Sequence, residues 1–279
     1  MFKATILRGR YVLRFGVCTL LFFTLSVAVG HAETIMIDSF DFPDLSDLLF
    51  CPGDAPWGDG NPCAMERSFA DILGGERDVF VETLGEPLTI SASAMAGSES
   101  AFEPGLLVFA TYGFGSVASA SYLTLQYDGE DDDADEPIWP TLTNSGQLNA
   151  DLTGGGTNNA FVFSFLGLDA GNDRTSLDLK ITVNGSNGSS AVHRGTIPES
   201  SIAFDHTVDF ADFTITGVNP FNAATSVTFT FNDPIAPVRN VDFELDSVSA
   251  VPEPSTLGLL AFGCLGCLIG VRAWRPRRR

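Results

Sequence analysis

Lysine is almost missing from this chain: one stands at position 3 and the other is Lys180. The 15 basic residues face 35 acidic ones, for a formal charge of −20. All 35 acids lie between residues 33 and 256 with only six of the cations, so that stretch alone carries −29. A body this acidic repels phosphate backbones, which excludes a nucleic-acid binder working through a general basic surface. Histidine is equally sparse, at positions 31, 193 and 206. The chain has no His-Glu-x-x-His, no Gly-x-Ser-x-Gly and no phosphate-cradling Walker loop, so the common signatures of metalloprotease, hydrolase and nucleotide enzymes are missing. Nor is there an internal repeat, or a long amphipathic helix between residues 33 and 256; residues 65–73 offer a short helix at most. Long apolar runs occur only at the two ends.

What is present is a chain of 279 residues, 44% apolar with 23 phenylalanines, which argues against global disorder. Its first 32 residues join a basic start (Lys3, Arg8, Arg10, Arg14) to an apolar run over 17–29 and end in Gly30-His31-Ala32. That pattern reads as a secretory signal peptide over 1–32, with small residues at the cleavage positions and a mature start at Glu33. At the other end Val251-Pro252-Glu253-Pro254-Ser255-Thr256 precedes an uncharged stretch over 257–271 and then Arg272, Arg275, Arg277, Arg278 and Arg279. The stretch is short for a membrane span, but Trp274 and a snorkelling Arg272 extend it. Terminal arginines belong on the cytoplasmic side, so the body between the two ends faces outward.

These residues, Pro252-Glu253-Pro254, then an apolar segment rich in small residues, then an arginine cluster, resemble the PEP-CTERM sorting domain. The resemblance covers 251–279 and implies recognition at Pro252, Glu253 and Pro254 by an exosortase of the kind found in Gram-negative-type bacteria that make extracellular polysaccharide. It implies a protein exported to the surface or the medium, held in the inner membrane by its tail until processed. It says nothing of the body.

The body, 33–250, alternates with a period of two. Leu177, Leu179, Ile181 and Val183 fall on one face, and Ser176, Asp178, Lys180 and Thr182 on the other. Val227, Phe229 and Phe231 alternate with threonines, and Val241, Phe243 and Leu245 with acids. Further strands are predicted over 78–82, 88–95, 106–112, 117–127, 160–168, 191–197 and 208–216, separated by Gly, Asn, Asp, Pro and Ser clusters. About ten short antiparallel strands predict an all-β sandwich of jelly-roll type. Outside the ends only Cys51 and Cys63 remain, and they are expected to form a disulfide closing a turn-rich loop.

Three chemistries have candidates in the body. The acidic run over 128–136 is expected in solvent; it lacks the spacing of an EF-hand, and Asp128, Asp131, Asp133 and Asp135 are the ligands of a weak calcium site if one forms. Asp54, Asp59 and Asn61 are a second, weaker set, and no other cofactor is expected. For carbohydrate contact the candidates are Trp57 and Trp139, both in turn regions, with the polar-tipped rings of Tyr112, Tyr122 and Tyr127 beside them. The competing reading plugs these rings into the core. Catalysis has the thinnest support, since His193, in a strand, and His206, near a strand start, read as structural or exposed and 35 carboxylates single out no pair. The sequence therefore points to a non-enzymatic exported protein with a structural, adhesive or polysaccharide-associated role. A secreted enzyme acting on matrix glycans, or a ligand-free module, is the alternative. The partners implied are signal peptidase, exosortase, the membrane through the tail, and extracellular polysaccharide.

Overall fold

A computed structural model describes residues 34–40, 47–52, 63–68, 72–84, 90–97, 106–113, 120–129, 145–171, 174–232, 238 and 240–252. Fourteen strands among these residues form two seven-stranded sheets, and every described pairing is antiparallel. The first sheet holds β1 (Ile35–Asp38), β2 (Asp47–Pro52), β5 (Ile90–Gly97), β6 (Leu106–Gly113), β8 (Ala160–Asp169), β11 (Phe204–Asp209) and β14 (Asp242–Val251). The second holds β3 (Cys63–Ser68), β4 (Glu76–Leu84), β7 (Ala120–Tyr127), β9 (Ser176–Gly185), β10 (Ser190–Pro198), β12 (Thr214–Thr216) and β13 (Ala224–Phe231). Their orders are β11-β8-β14-β6-β5-β2, with β1 also on β14, and β12-β10-β9-β13-β7-β4-β3.

The period of two is what makes the layers. In β9 the apolar set Leu177, Leu179, Ile181 and Val183 is buried while the polar set between is half-exposed. The hairpin to β10 turns through Asn187 and Gly188, at φ 61° and 72°, a left-handed region that asparagine and glycine enter at least cost. Inward phenylalanines join the sheets. Phe163 of β8 meets Phe229 and Phe231 of β13 edge-on at 5.2 and 6.1 Å, and Phe161 meets Phe229 at 5.6 Å. One continuous core of buried side chains runs between the layers, as in a β-sandwich.

The structure corrects two local expectations. The stretch over 208–216 is not one strand: β11 ends at Asp209, a 3-10 turn covers Phe210–Asp212, and β12 begins at Thr214 in the other sheet. Phe210 and Phe213 turn into the core there, Phe210 stacking on Phe221 at 4.1 Å and Phe213 meeting it edge-on at 5.1 Å. The short helix allowed over 65–73 is also absent; Met65 belongs to β3, and Leu73–Gly75 is a 3-10 turn leading into β4.

At the end where β1 begins, Ile35 pairs with Ala250 of β14 and Met36 with Ser249. β8 runs along β14 from Asp242 to Val251, and the amide of Asn159 donates to the Val251 carbonyl at 3.0 Å. The last strand is thus held by β1 up to Ala250 and by β8 up to Val251, the residue before Pro252. At its other end β1 places Asp38 inside the sandwich. Arg77 Nη1 of β4 donates to Asp38 Oδ2 at 2.6 Å, the Tyr127 hydroxyl of β7 donates to the same oxygen at 2.9 Å, and the Phe40 amide donates to Oδ1 at 2.9 Å. The guanidinium also lies 5.1 Å over the Phe40 ring.

Candidate functional site

The outward face of the second sheet is built from the polar half of each strand's alternation. Cross-strand register lines up Asp78, Gln126, Thr228, Thr182, Val192 and Thr214 in one row. A second row reads Phe80, Thr124, Thr230, Lys180 and Arg194. Side-chain hydrogen bonds tie neighbours together: Gln126 Nε2 donates to Asp78 Oδ2 at 3.4 Å and to Asp128 Oδ2 at 3.3 Å, and Asn184 Nδ2 donates to Ser226 Oγ at 2.9 Å. The Thr124 and Thr230 hydroxyls are 3.3 Å apart.

Exposure divides this face in two. Asp78, Phe80, Thr124, Gln126, Asp128, Ser226 and Thr230 are buried. Over β9, β10 and β12, in contrast, Asp178, Lys180, Thr182 and Asn184 are half-exposed and Arg194, Thr196, Thr214 and Thr216 are exposed. The accessible half therefore presents hydroxyls, an amide, the Asp178 carboxylate and two cations. Burial of its stem, and then the charge of Arg194 on the facing strand, push the Lys180 ammonium below its ordinary pKa. Asp178, two residues along β9, accepts from Arg174 Nη1 at 3.0 Å. Such a surface can offer hydrogen bonds to sugar hydroxyls and charge to an anion.

The residues singled out in the sequence distribute unevenly. Asp128 does not project into solvent, although the acidic run is expected there. It is buried, and its carboxylate accepts from Gln126 and from the Ser145 amide while its carbonyl accepts from Ser145 Oγ at 2.9 Å. Asp131, Asp133 and Asp135 lie outside the described residues, as do Trp57, Trp139, Asp54, Asp59 and Asn61. Among the described residues no group of three or more His, Cys, Asp or Glu is arranged to hold a metal ion. Tyr127 is no sugar platform: it is fully buried, and burial, followed by the nearby Asp38 charge, raises its hydroxyl well above the ordinary value. Tyr122 is half-buried with its ring 6.0 Å from Phe80. Tyr112 lies in β6, Cys51 in β2 and Cys63 in β3, with side chains outside the described set.

His193, opposite Ile181, and His206, opposite Phe163, fall on the inward faces of their strands. His193 packs against Phe213 at 5.4 Å and His206 against Phe163 at 6.5 Å. Burial, then the charge of His193, lowers the His206 pKa. At the sorting end, Pro252 directly follows β14, while Glu253, Pro254 and the arginines at 272, 275, 277, 278 and 279 lie outside the described residues, as does the expected leader over 1–32. No described helix is long and apolar enough to cross a membrane. The juxtaposition of Lys180 and Arg194 arises from the register between two strands; the facing periodicities of β9 and β10 are the signal that could have revealed it.

A two-layered antiparallel body that runs straight into Pro252 defines an all-β protein with a carboxyl-terminal tail. Residues 250–279 match the PEP-CTERM protein-sorting motif, so this is a PEP-CTERM sorting domain-containing protein. The motif marks an exported protein processed by exosortase. No curated protein matches the chain. Among solved structures, the chain is similar to the family 11 carbohydrate-binding module of the cellulosomal cellulase Lic26A-Cel5E of Clostridium thermocellum, at 12% identity and a TM-score of 0.35, covering 80% of this chain and 96% of that one. A second, a family 11 module from Clostridium thermocellum in complex with a β-1,3-1,4-mixed-linked tetrasaccharide, gives 13% identity and a TM-score of 0.35, covering 70% and 97%. Likeness of this degree transfers neither topology nor ligand.

Proposed function

We propose that this protein is an exosortase-sorted component of the bacterial cell surface or extracellular matrix, with a non-catalytic, polysaccharide-associated role. The observation that carries the reading is the PEP-CTERM motif at 250–279, joined without a linker to a folded β-body whose last strand ends at Val251. The body travels as one cargo, and the tail is its address. Anchorage in the inner membrane through the tail precedes processing, and release to the surface or medium follows it. The polysaccharide part rests on the accessible hydroxyl, amide and cation face over β9, β10 and β12. A rigid sheet holds such groups in fixed spacing, as recognition of a repeating polymer requires.

The test is the intact mass and location of the native protein in membrane, outer and culture fractions. The expected species begins at Glu33, ends near Pro254 and lies outside the inner membrane. A species that keeps its terminal arginines and stays in the inner membrane overturns the sorting part. Release of reducing ends from a matrix glycan by the purified protein overturns the non-catalytic part.

A further inference from the structure

We propose that the glycine-rich loop over 153–157, beside the point where the chain leaves β14, is the surface against which the exosortase packs while it holds Pro252-Glu253-Pro254. This inference rests on the sorting reading and names the part of the body that the processing enzyme touches.

It starts from how little chain separates the sheet from the anchoring segment. The sorting motif begins at residue 250, so its first two residues belong to β14. Ala250 is buried and paired with Ile35 and Phe161, and the Val251 carbonyl accepts from the Asn159 amide. Residues 252–256 alone stand between that strand and the uncharged stretch over 257–271. A segment of that length reaches roughly 18 Å at full extension. A single helix with its side chains is about 10–12 Å across, so an enzyme that grips the tripeptide on an anchored chain fills the gap and meets the body at this end.

What it meets follows from the strand order. β8 lies against β14, so the segment entering β8 flanks the exit: the Asn159 amide holds Val251, and the Asn159 carbonyl accepts from the Phe210 amide at 2.6 Å. Just before it the chain closes a loop on itself. Asp151, the one charged residue over 150–160, accepts from the Thr153 and Gly155 amides, each at 2.9 Å. The Thr153 carbonyl accepts from the amides of Gly156, Thr157 and Asn158 at 3.0, 2.8 and 2.7 Å. These polar groups are turned onto one another, and the rim of the loop, Gly155, Gly156 and Thr157, is exposed. Gly155 and Gly156 sit at φ 71° and 88°, where a larger residue is strained, yet a Cβ on either would meet nothing within 4 Å. Packing inside the body therefore does not require the rim to be bare. A bare rim beside the exit leaves an approaching enzyme clear, and a loop already closed on itself keeps that clearance with little ordering cost on association.

The experiment follows removal of the tail from the full-length protein in the producing bacterium by pulse-chase, with intact mass as the readout. Variants are Gly155→Arg, Gly155→Asn and the matched control Gly171→Arg, and these and the parent are also made with a flexible Gly-Ser linker between Val251 and Pro252. Gly171 shares the left-handed backbone, at φ 90°, and the length of β8 sets it about 30 Å from the exit. Gly155→Arg should slow processing about tenfold, equivalent to about 1.4 kcal/mol of barrier. Gly155→Asn, which enters that backbone region readily, and Gly171→Arg should stay near the parent rate. A linker of about six residues adds roughly 20 Å of reach and should restore Gly155→Arg without speeding the parent. Processing of Gly155→Arg at the parent rate, or a slowing that the linker does not relieve, overturns the proposal. So does equal slowing by Gly155→Asn or Gly171→Arg, or a parent that the linker accelerates. Each of these outcomes, with the parent processed normally, leaves the sorting reading standing, whereas a parent that keeps its terminal arginines removes both.

Discussion

Asp38 of the first sheet is tied to Arg77 and Tyr127 of the second. It sits buried between the two sheets, and its carboxylate is stable there because a guanidinium, a phenol and a backbone amide all donate to it. Removing one donor and removing the charge therefore differ in cost. Tyr127→Phe leaves the ion pair intact and should lower stability by about 1.5–3 kcal/mol, the range for a hydrogen bond to a charged group. Asp38→Asn strands the Arg77 charge in the interior and should cost about 3–5 kcal/mol. Denaturant unfolding of both variants checks the order. His206 gives a second prediction, on pH. Its folded pKa lies below the ordinary 6.5 because burial disfavours the imidazolium. The unfolded chain then binds the proton more readily, so stability is lost as pH falls below about 6.5 and levels off only beneath the folded pKa. His206→Gln should flatten the melting temperature over that window. An unchanged slope would assign the pH dependence to the carboxylates instead.

At the scale of strands, Phe229 joins the layers. It meets Tyr127 within its own sheet and Phe161 and Phe163 across the core. Phe229→Ala should cost about 3–5 kcal/mol, read as a lower denaturant midpoint, because a ring flanked from both sheets leaves a cavity that rigid strands cannot fill. Such inward positions were legible in the sequence wherever alternation was strict, as in β9 and in Val227-Thr228-Phe229-Thr230-Phe231. The polar members of the same strands were legible only as outward, not as neighbours of one another. Asp128 and Tyr127 show the limit most sharply. A run of carboxylates reads as solvated and a polar-tipped ring at a strand end as a candidate for carbohydrate contact, yet Ser145 and Gln126 satisfy one and Asp38 the other. Ser145 lies 17 residues from Asp128 and Asp38 lies 89 from Tyr127, and partners so distant leave no local pattern. Between β11 and β12 Phe210 keeps step with Val208 while Phe213, three residues on, falls out of phase, and there the backbone turns to the other sheet.

For the whole molecule, charge and tail decide behaviour. At −29 over residues 33–256 the body repels itself, and added salt should raise its melting temperature by screening that repulsion. A melting temperature that is unchanged or lower in salt would show that attractive pairs dominate. Replacing Pro252-Glu253-Pro254 by alanines should leave a larger, membrane-retained species. Fractionation with intact-mass measurement reads the outcome, and normal processing of the variant would remove exosortase from the account.

The pairing of Ile35 with Ala250 also sets a schedule. A sheet whose first strand lies on its last cannot close while the chain is still being made, so the sandwich stays incomplete until Val251 has emerged. The sorting motif begins at residue 250, where that strand ends, and the chain grows through it at about 5–20 residues per second. Completion of the cargo and arrival of its address are therefore nearly simultaneous events, and any delay in one is felt by the other.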